Sequence, residues 1–222
     1  MLTRRREFLE RIALGGLGAA ALGALDVVSI EAQGPAARLW DLTWVKRLNG
    51  KHRAIFDIPA IEDGYGVWRA VLWRKQYAAV FGLQEAQMNT VLNIRHDGIA
   101  LVLNQDFWRE YDLASQWAVK DPVTRRATMR NPILDRTGPN ALPPEYEDFT
   151  LEKVMAGGAI VLACSMALRD CAEVVSQRDR VSKAEADKKV RAMIHPGVIL
   201  QPSGIFSAVL AQEHGCAYVR AS

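Results

Sequence analysis

The chain has 222 residues, 28 Lys and Arg against 25 Asp and Glu, a net charge of +3 at pH 7, and a hydrophobic share of 50%. So weak a positive balance gives no support for nucleic-acid binding, which normally shows a strongly basic patch, and no nucleic-acid partner is expected. The length left after any leader is enough for one domain with a real core.

The chain opens MLTRRREFLERIALGGLGAAALGALDVV, an arginine cluster followed by a run from Ile12 to Leu25 made only of Ala, Gly, Leu and Ile. A membrane-spanning helix wants about 20 strongly apolar residues. This run is shorter and is diluted by Gly15, Gly16, Gly18 and Gly23. Arg5, Arg6, Phe8 and Leu9 follow the twin-arginine pattern, two arginines, any residue, then Phe-Leu, ahead of a weakly hydrophobic core. Residues 1–36 therefore read as a twin-arginine signal and its cleavage region. A periplasmic location follows, with the twin-arginine translocase as the export partner. An ordinary secretory signal or an uncleaved anchor is the alternative.

Residues 37–222 read as a single α/β domain in which apolar runs alternate with helical patterns, as in βα units around a parallel sheet. Ala54 to Ile58 is the first expected strand. After the turn at Asp63-Gly64-Tyr65-Gly66, Val67 to Phe81 has helical spacing and Gly82 stops it. Asn89 to Arg95 is the second strand, with a helix expected from Gly98 to about Leu113. Residues 115–148 then carry Pro122, Pro132, Pro139, Pro143 and Pro144 with little periodicity, an irregular insertion of the length that is usually functional or mobile.

Ala159 to Ala163 is short and continuously apolar, the pattern of a buried central strand. Helices are expected over Met166 to Ser176 and over Ser182 to Met193, the latter with Ser182 as N-cap and Glu185 in the capping-box position. Val198 to Leu200 is a strand, Ser203 caps a helix running to His214, and Ala217 to Arg220 closes the sheet. The sum is a three-layer α/β/α domain with a five-stranded, mainly parallel Rossmann-like sheet.

Sites in such sheets form at the carboxyl ends of strands, where loops enter helix N-termini. Cys164 follows an apolar strand and precedes a helix, a location that favours a thiolate nucleophile. It also suits a small hydrophobe packed at a strand end, and position alone does not choose between the two. Cys171 falls seven residues on, about two helical turns or roughly 10 Å away, beyond disulfide reach if the helix begins at Cys164. Cys216 reads as packing. Three cysteines is an odd number for an exported chain, so at least one thiol is left over or pairs between chains.

Other chemistries find little support. His96, His195 and His214 are scattered, His214-Gly215-Cys216 lacks the spacing of a structural zinc site, and no metal or cofactor is expected. Pro202-Ser203-Gly204 does not supply a nucleophile elbow, and Gly157-Gly158 precedes a strand where a dinucleotide fingerprint would follow one. Trp68, Trp73, Trp108 and Trp117 read as core or subunit interface. The basic stretch from Lys120 to Arg136 offers Arg125, Arg126 and Arg130 as anion contacts or a lid, or simply a solvated surface.

Several short motifs, in order, resemble the DsrE/DsrF-like family, which includes the TusD-type sulfur carriers. They are Ala163-Cys164 after an apolar strand with Leu168 beyond it, Gln201-Pro202-Ser203-Gly204-Ile205 after the fourth strand, the stretch from Ala211 to Arg220, and His96-Asp97-Gly98 after the second strand. The resemblance spans about His52 to Arg220, interrupted by the insertion. It implies a five-stranded parallel sheet, a homo-oligomer and, as in the relay members, one cysteine that carries persulfide sulfur between a donor and an acceptor protein. On this chain that cysteine would be Cys164, with Ser203 and Gly204 bordering the site through backbone N–H groups and His96 nearby. Relay members work in the cytoplasm, whereas this chain carries an export pattern, and the insertion would change access to the site. The competing expectations are a non-catalytic oligomeric binding or assembly protein and a small-molecule-binding module of the same fold.

Overall fold

The computed structural model describes residues 39–84, 87–135 and 141–222. The signal motif Arg5, Arg6, Phe8 and Leu9, and residues 1–36 as a whole, lie outside the described residues. Five strands form one sheet: β1 (His52–Ile58), β2 (Met88–Ile94), β3 (Ile160–Cys164), β4 (Ile199–Gln201) and β5 (Ala217–Arg220). Their spatial order is β4-β3-β2-β1-β5 and every pairing is parallel. Strands buried on both faces need apolar side chains in both directions, which is why β1 to β3 read as near-continuous hydrophobic runs.

The helices are α1 (Tyr65–Phe81), α2 (Gln105–Glu110), α3 (Leu113–Gln116), α4 (Pro144–Glu147), α5 (Leu151–Ala156), α6 (Ser165–Asp179), α7 (Lys183–Ala192) and α8 (Gly204–Glu213). One face of the sheet buries Ala54, Phe56, Ile58, Leu92, Ile94, Val161 and Ala163 against Val67 and Ala70 of α1, Leu168 and Val175 of α6, and Ala186 and Val190 of α7. The other face buries Ile55, Val91, Ile160 and Leu162 against Leu210 and Ala211 of α8 and against Trp44, which stands in a 3-10 turn over Thr43–Arg47. The molecule is therefore a three-layer α/β/α sandwich with a parallel Rossmann-like sheet. Full burial of an aliphatic side chain contributes about 1.5–3 kcal/mol, so these two faces carry most of the fold's stability.

Local signals explain most element boundaries. α1 ends at Gly82, which takes φ 63°, a left-handed value that glycine adopts without a Cβ clash. α7 begins in a complete capping box: Ser182 Oγ accepts from Glu185 N, and the Glu185 carboxylate accepts from Ser182 N. Ser203 Oγ caps α8 by accepting from Phe206 N at 3.1 Å.

The expected helix from Gly98 to about Leu113 is broken into a 3-10 turn, His96–Val102, followed by α2 and α3. Asn131, buried in the insertion, donates from Nδ2 to the carbonyls of Leu101 and Leu103, each at 2.9 Å. Leu103 is extended and bridges Ile194, and Asn104 restarts the helix by accepting from Phe107 N. Those carbonyls would otherwise bond within a continuing helix, so the break comes from chain about 30 residues away. The insertion is also less irregular than expected. It contains α4 and an antiparallel bridge from Lys120 to Ala127, and it sends Val119, Ile133 and Leu134 into the main core. The short helix α5 follows it, unforeseen in the sequence. Among the described residues no helix is long and apolar enough to cross a membrane.

Candidate functional site

The chemistry collects at the carboxyl ends of the strands. Cys164 is the last residue of β3 and the N-cap of α6, and its Sγ accepts from Ala167 N at 3.4 Å. The thiol thus occupies the place of a capping oxygen, where the first turn of a 15-residue helix offers backbone N–H groups and the positive end of its dipole. It is 6% exposed, and in register it faces Gln201 of β4. Cys171 lies in the body of α6, where burial first and the nearby Asp170 second push its thiol up to about 12. Burial pushes Cys216 up to about 11, against a smaller opposing effect of Arg53. All three cysteines are free.

Gln201 leads within three residues to Gly204, the first residue of α8. Ser203 and Gly204 therefore stand next to the strand end that pairs with Cys164. Gly204 also packs on the side chain of Arg95: a Cβ there would lie 2.4 Å from Arg95 Cδ and 2.8 Å from its Cβ. Only glycine lets Arg95 lie flat against this helix start.

A charged cluster, unforeseen in the sequence, occupies the end of β1. Asp57 is 1% exposed, and its carboxylate accepts two bonds from Arg95, Nε to Oδ1 and Nη2 to Oδ2, each at 2.7 Å. Tyr218 Oη donates to Oδ2 at 2.7 Å, and Asn93 Nδ2 donates to Oδ1 at 2.9 Å. Asn93 Nδ2 also donates to the Gly204 carbonyl at 3.0 Å, tying β2 to α8. Burial pushes the Asp57 carboxyl up, but the bonds from Arg95, Tyr218 and Asn93 together outweigh it and hold the group below its ordinary range. The same bond to Asp57 raises the Tyr218 phenol, because ionisation would remove the proton it donates. Arg95 is held charged chiefly by its bonds to Asp57. Two buried acceptors at these strand ends, Asn93 Oδ1 and Gln201 Oε1, have no donor among the described residues. A charged residue inside the apolar run AIFDI was the available signal for Asp57, and Asn93-Ile94-Arg95 the signal for its partners.

Of the remaining expected residues, His96 stands just past the end of β2, which pairs with β3, and the three arginines lie on the insertion. His96 follows Arg95 with φ 51°, is mostly exposed, and meets Asp97 Oδ1 at 3.2 Å. Arg125 pairs with Asp63 at 3.2 Å and lies over the Tyr65 ring at 5.6 Å. Arg126 and Arg130 line a shallow pocket with Thr124, Thr128 and Pro143 that contains none of Cys164, Ser203, Gly204 or His96. The structure thus brings Cys164, Ser203 and Gly204 to adjacent strand ends and leaves the three arginines on the insertion. Among the described residues no group of three or more His, Cys, Asp or Glu side chains is arranged to hold a metal ion.

The class these observations define is a parallel-sheet α/β/α protein with a buried thiol and a charged cluster at the carboxyl edge of the sheet. Comparison with protein-family models, curated proteins and solved structures returned no match.

Proposed function

We propose that the protein is an exported sulfur-handling protein of the DsrE-like type, with Cys164 as a transient carrier of sulfane sulfur. The supporting observation is the capping geometry of its Sγ toward Ala167 N, which gives a thiolate or a persulfide anion a backbone donor and a helix N-terminus. In the step envisaged, the Cys164 thiolate attacks the outer sulfur of a donor persulfide. The donor's S–S bond breaks, the donor leaves as a thiolate, and Cys164 holds the sulfur as a persulfide, with no net oxidation. The acceptor reverses the step. Because Cys164 is buried, docking of a donor must uncover it.

Mass spectrometry after incubation with a sulfane-sulfur donor should show a gain of about 32 Da, one sulfur atom, that is lost in Cys164→Ser. Absence of the adduct in the native chain would sink the carrier reading.

A second reading, an oligomeric assembly or binding protein, has its own support. α8 is apolar nearly all round, and its Ile205, Phe206 and Val209 remain exposed, as does Tyr218 on the edge strand β5. An all-round apolar helix is normally covered, and an open strand edge invites pairing. Ile205→Glu with Val209→Glu should lower the solution mass by light scattering, whereas Cys164→Ala should leave it unchanged. A monomeric parent chain would end this reading.

A further inference from the structure

An aromatic cluster lies between the start of α1 and the insertion, and Cys164 takes no part in it. A pocket of about 160 Å³ opens there, walled by Tyr65, Trp68, Tyr146 and Phe149, with Pro132 and Leu142 closing it. The rings brace one another edge to face: Tyr65 on Trp68 at 6.0 Å, Trp68 on Phe149 at 6.1 Å, Tyr146 on Phe149 at 6.0 Å. The one ionisable carboxylate in the lining, Asp63, comes from the β1–α1 loop, the carboxyl-edge position at which parallel sheets place their ligands.

That loop holds three successive left-handed residues, Glu62 at φ 37°, Asp63 at φ 53° and Gly64 at φ 88°. Such conformations are costly for side-chain-bearing residues and persist where the surroundings impose them. Here the insertion does so. Asp63 Oδ1 accepts from Lys120 N at 2.8 Å, its Oδ2 pairs with Arg125, and a Cβ on Gly64 would meet Ile133 Cγ2 at 2.4 Å. The insertion therefore fixes the loop and walls the pocket at once.

We propose that this pocket is a binding site for a small, uncharged, monocyclic aromatic molecule of the phenol class. Size is the first argument: an apolar cavity of about 150 Å³ accepts one benzene ring. Charge is the second. Arg125 and Arg69 stand 5.6 and 6.0 Å from the Tyr65 centroid, and Lys75 Nζ stands 5.6 Å from that of Phe149, so cations of the protein already occupy those ring faces. Each of these cations is paired with a carboxylate, Arg69 with Glu62 at 2.8 Å, Lys75 with Asp148 at 2.6 Å and Arg125 with Asp63 at 3.2 Å, so the rim leaves no spare charge to pair with a charged ligand of either sign. A neutral ring needs no such partner, and its hydroxyl has an acceptor in the lone pairs that Asp63 keeps beyond Lys120 N and Arg125.

The test is a titration of the full chain with phenol, benzoate and phenyltrimethylammonium, read by saturation-transfer NMR and by tryptophan fluorescence. Phenol should bind saturably in the millimolar range or tighter, and each charged probe about tenfold more weakly. Leu142→Phe, which fills the pocket, should abolish phenol binding while the circular dichroism stays that of the parent. No saturable phenol signal on the parent chain would overturn the proposal. So would undiminished binding in a folded Leu142→Phe, or phenyltrimethylammonium binding as well as phenol. None of these readouts involves Cys164, so the site stands or falls apart from the sulfur-carrier reading.

Discussion

At the carboxyl end of β3 the chain presents one thiol, packed with apolar neighbours and held by a single bond from its own helix. At that of β1, with only β2 between, it presents a carboxylate held by donors from three other positions, Asn93, Arg95 and Tyr218. The first arrangement is local: strand, thiol and helix N-terminus follow one another in fewer than ten residues. The second is assembled from strands up to 161 residues apart in sequence. A local site can be altered at small cost to the fold. A site whose charges are buried together is part of what holds the sheet edge in place, because removing one partner leaves the others desolvated and unpaired.

Substitutions at the two ends should separate accordingly. Asp57→Asn keeps the shape but strands Arg95, and a loss of about 3 kcal/mol is expected, the low end for a buried pair because Arg95 is itself a third exposed. Urea unfolding at pH 7 measures it. The pH dependence follows from a folded-state pKa below the unfolded value of about 3.9. The Asp57 contribution is complete above that value and disappears as pH falls through the folded pKa, so the gap between parent and variant should close in strong acid. A gap that persists there would show the effect to be packing.

Gly204→Ala tests the tie between that cluster and α8. The added methyl must displace Arg95 at its Cβ and Cδ, and overpacking of this kind costs about 2 kcal/mol. Ser203→Ala removes only the cap of α8 and should cost about 1 kcal/mol, read as a small fall in the urea midpoint. Cys164→Ser is expected to be nearly neutral, within about 1 kcal/mol, because serine is a preferred N-cap and can accept the same bond from Ala167 N. A large destabilisation by Cys164→Ser would break the contrast and show the thiol to be a packing element.

The same contrast explains what could be read from the sequence. The five strands are apolar runs bounded by turn residues, and the ends of α1, α7 and α8 are marked by Gly82, Ser182 with Glu185, and Ser203. Cys164 was legible for the same reason, since a strand-to-helix junction is written in consecutive residues. The Asp57 cluster was not, because its signals, the aspartate in AIFDI, the Asn93-Ile94-Arg95 stretch and Tyr218, stand far apart in sequence and meet only once β1, β2 and β5 are paired. Nor was the break after Val102: it is imposed by Asn131, whose side chain reaches Leu101 and Leu103 from the insertion. The aromatic pocket joins α1 to residues beyond 120 and was hidden likewise.

Position in the sheet also sets an order in time. β1 can pair with β2 soon after both are synthesised, but its other edge waits for β5. Closing so long a loop is entropically slow, and contacts of high sequence separation slow folding in general. Until Tyr218 arrives, Asp57 lacks one of its donors and β1 has an unpaired flank on which another chain could dock. The vulnerable moment in the life of this protein is therefore the interval before its fifth strand docks, when a nascent or refolding molecule is most open to pairing with its neighbour.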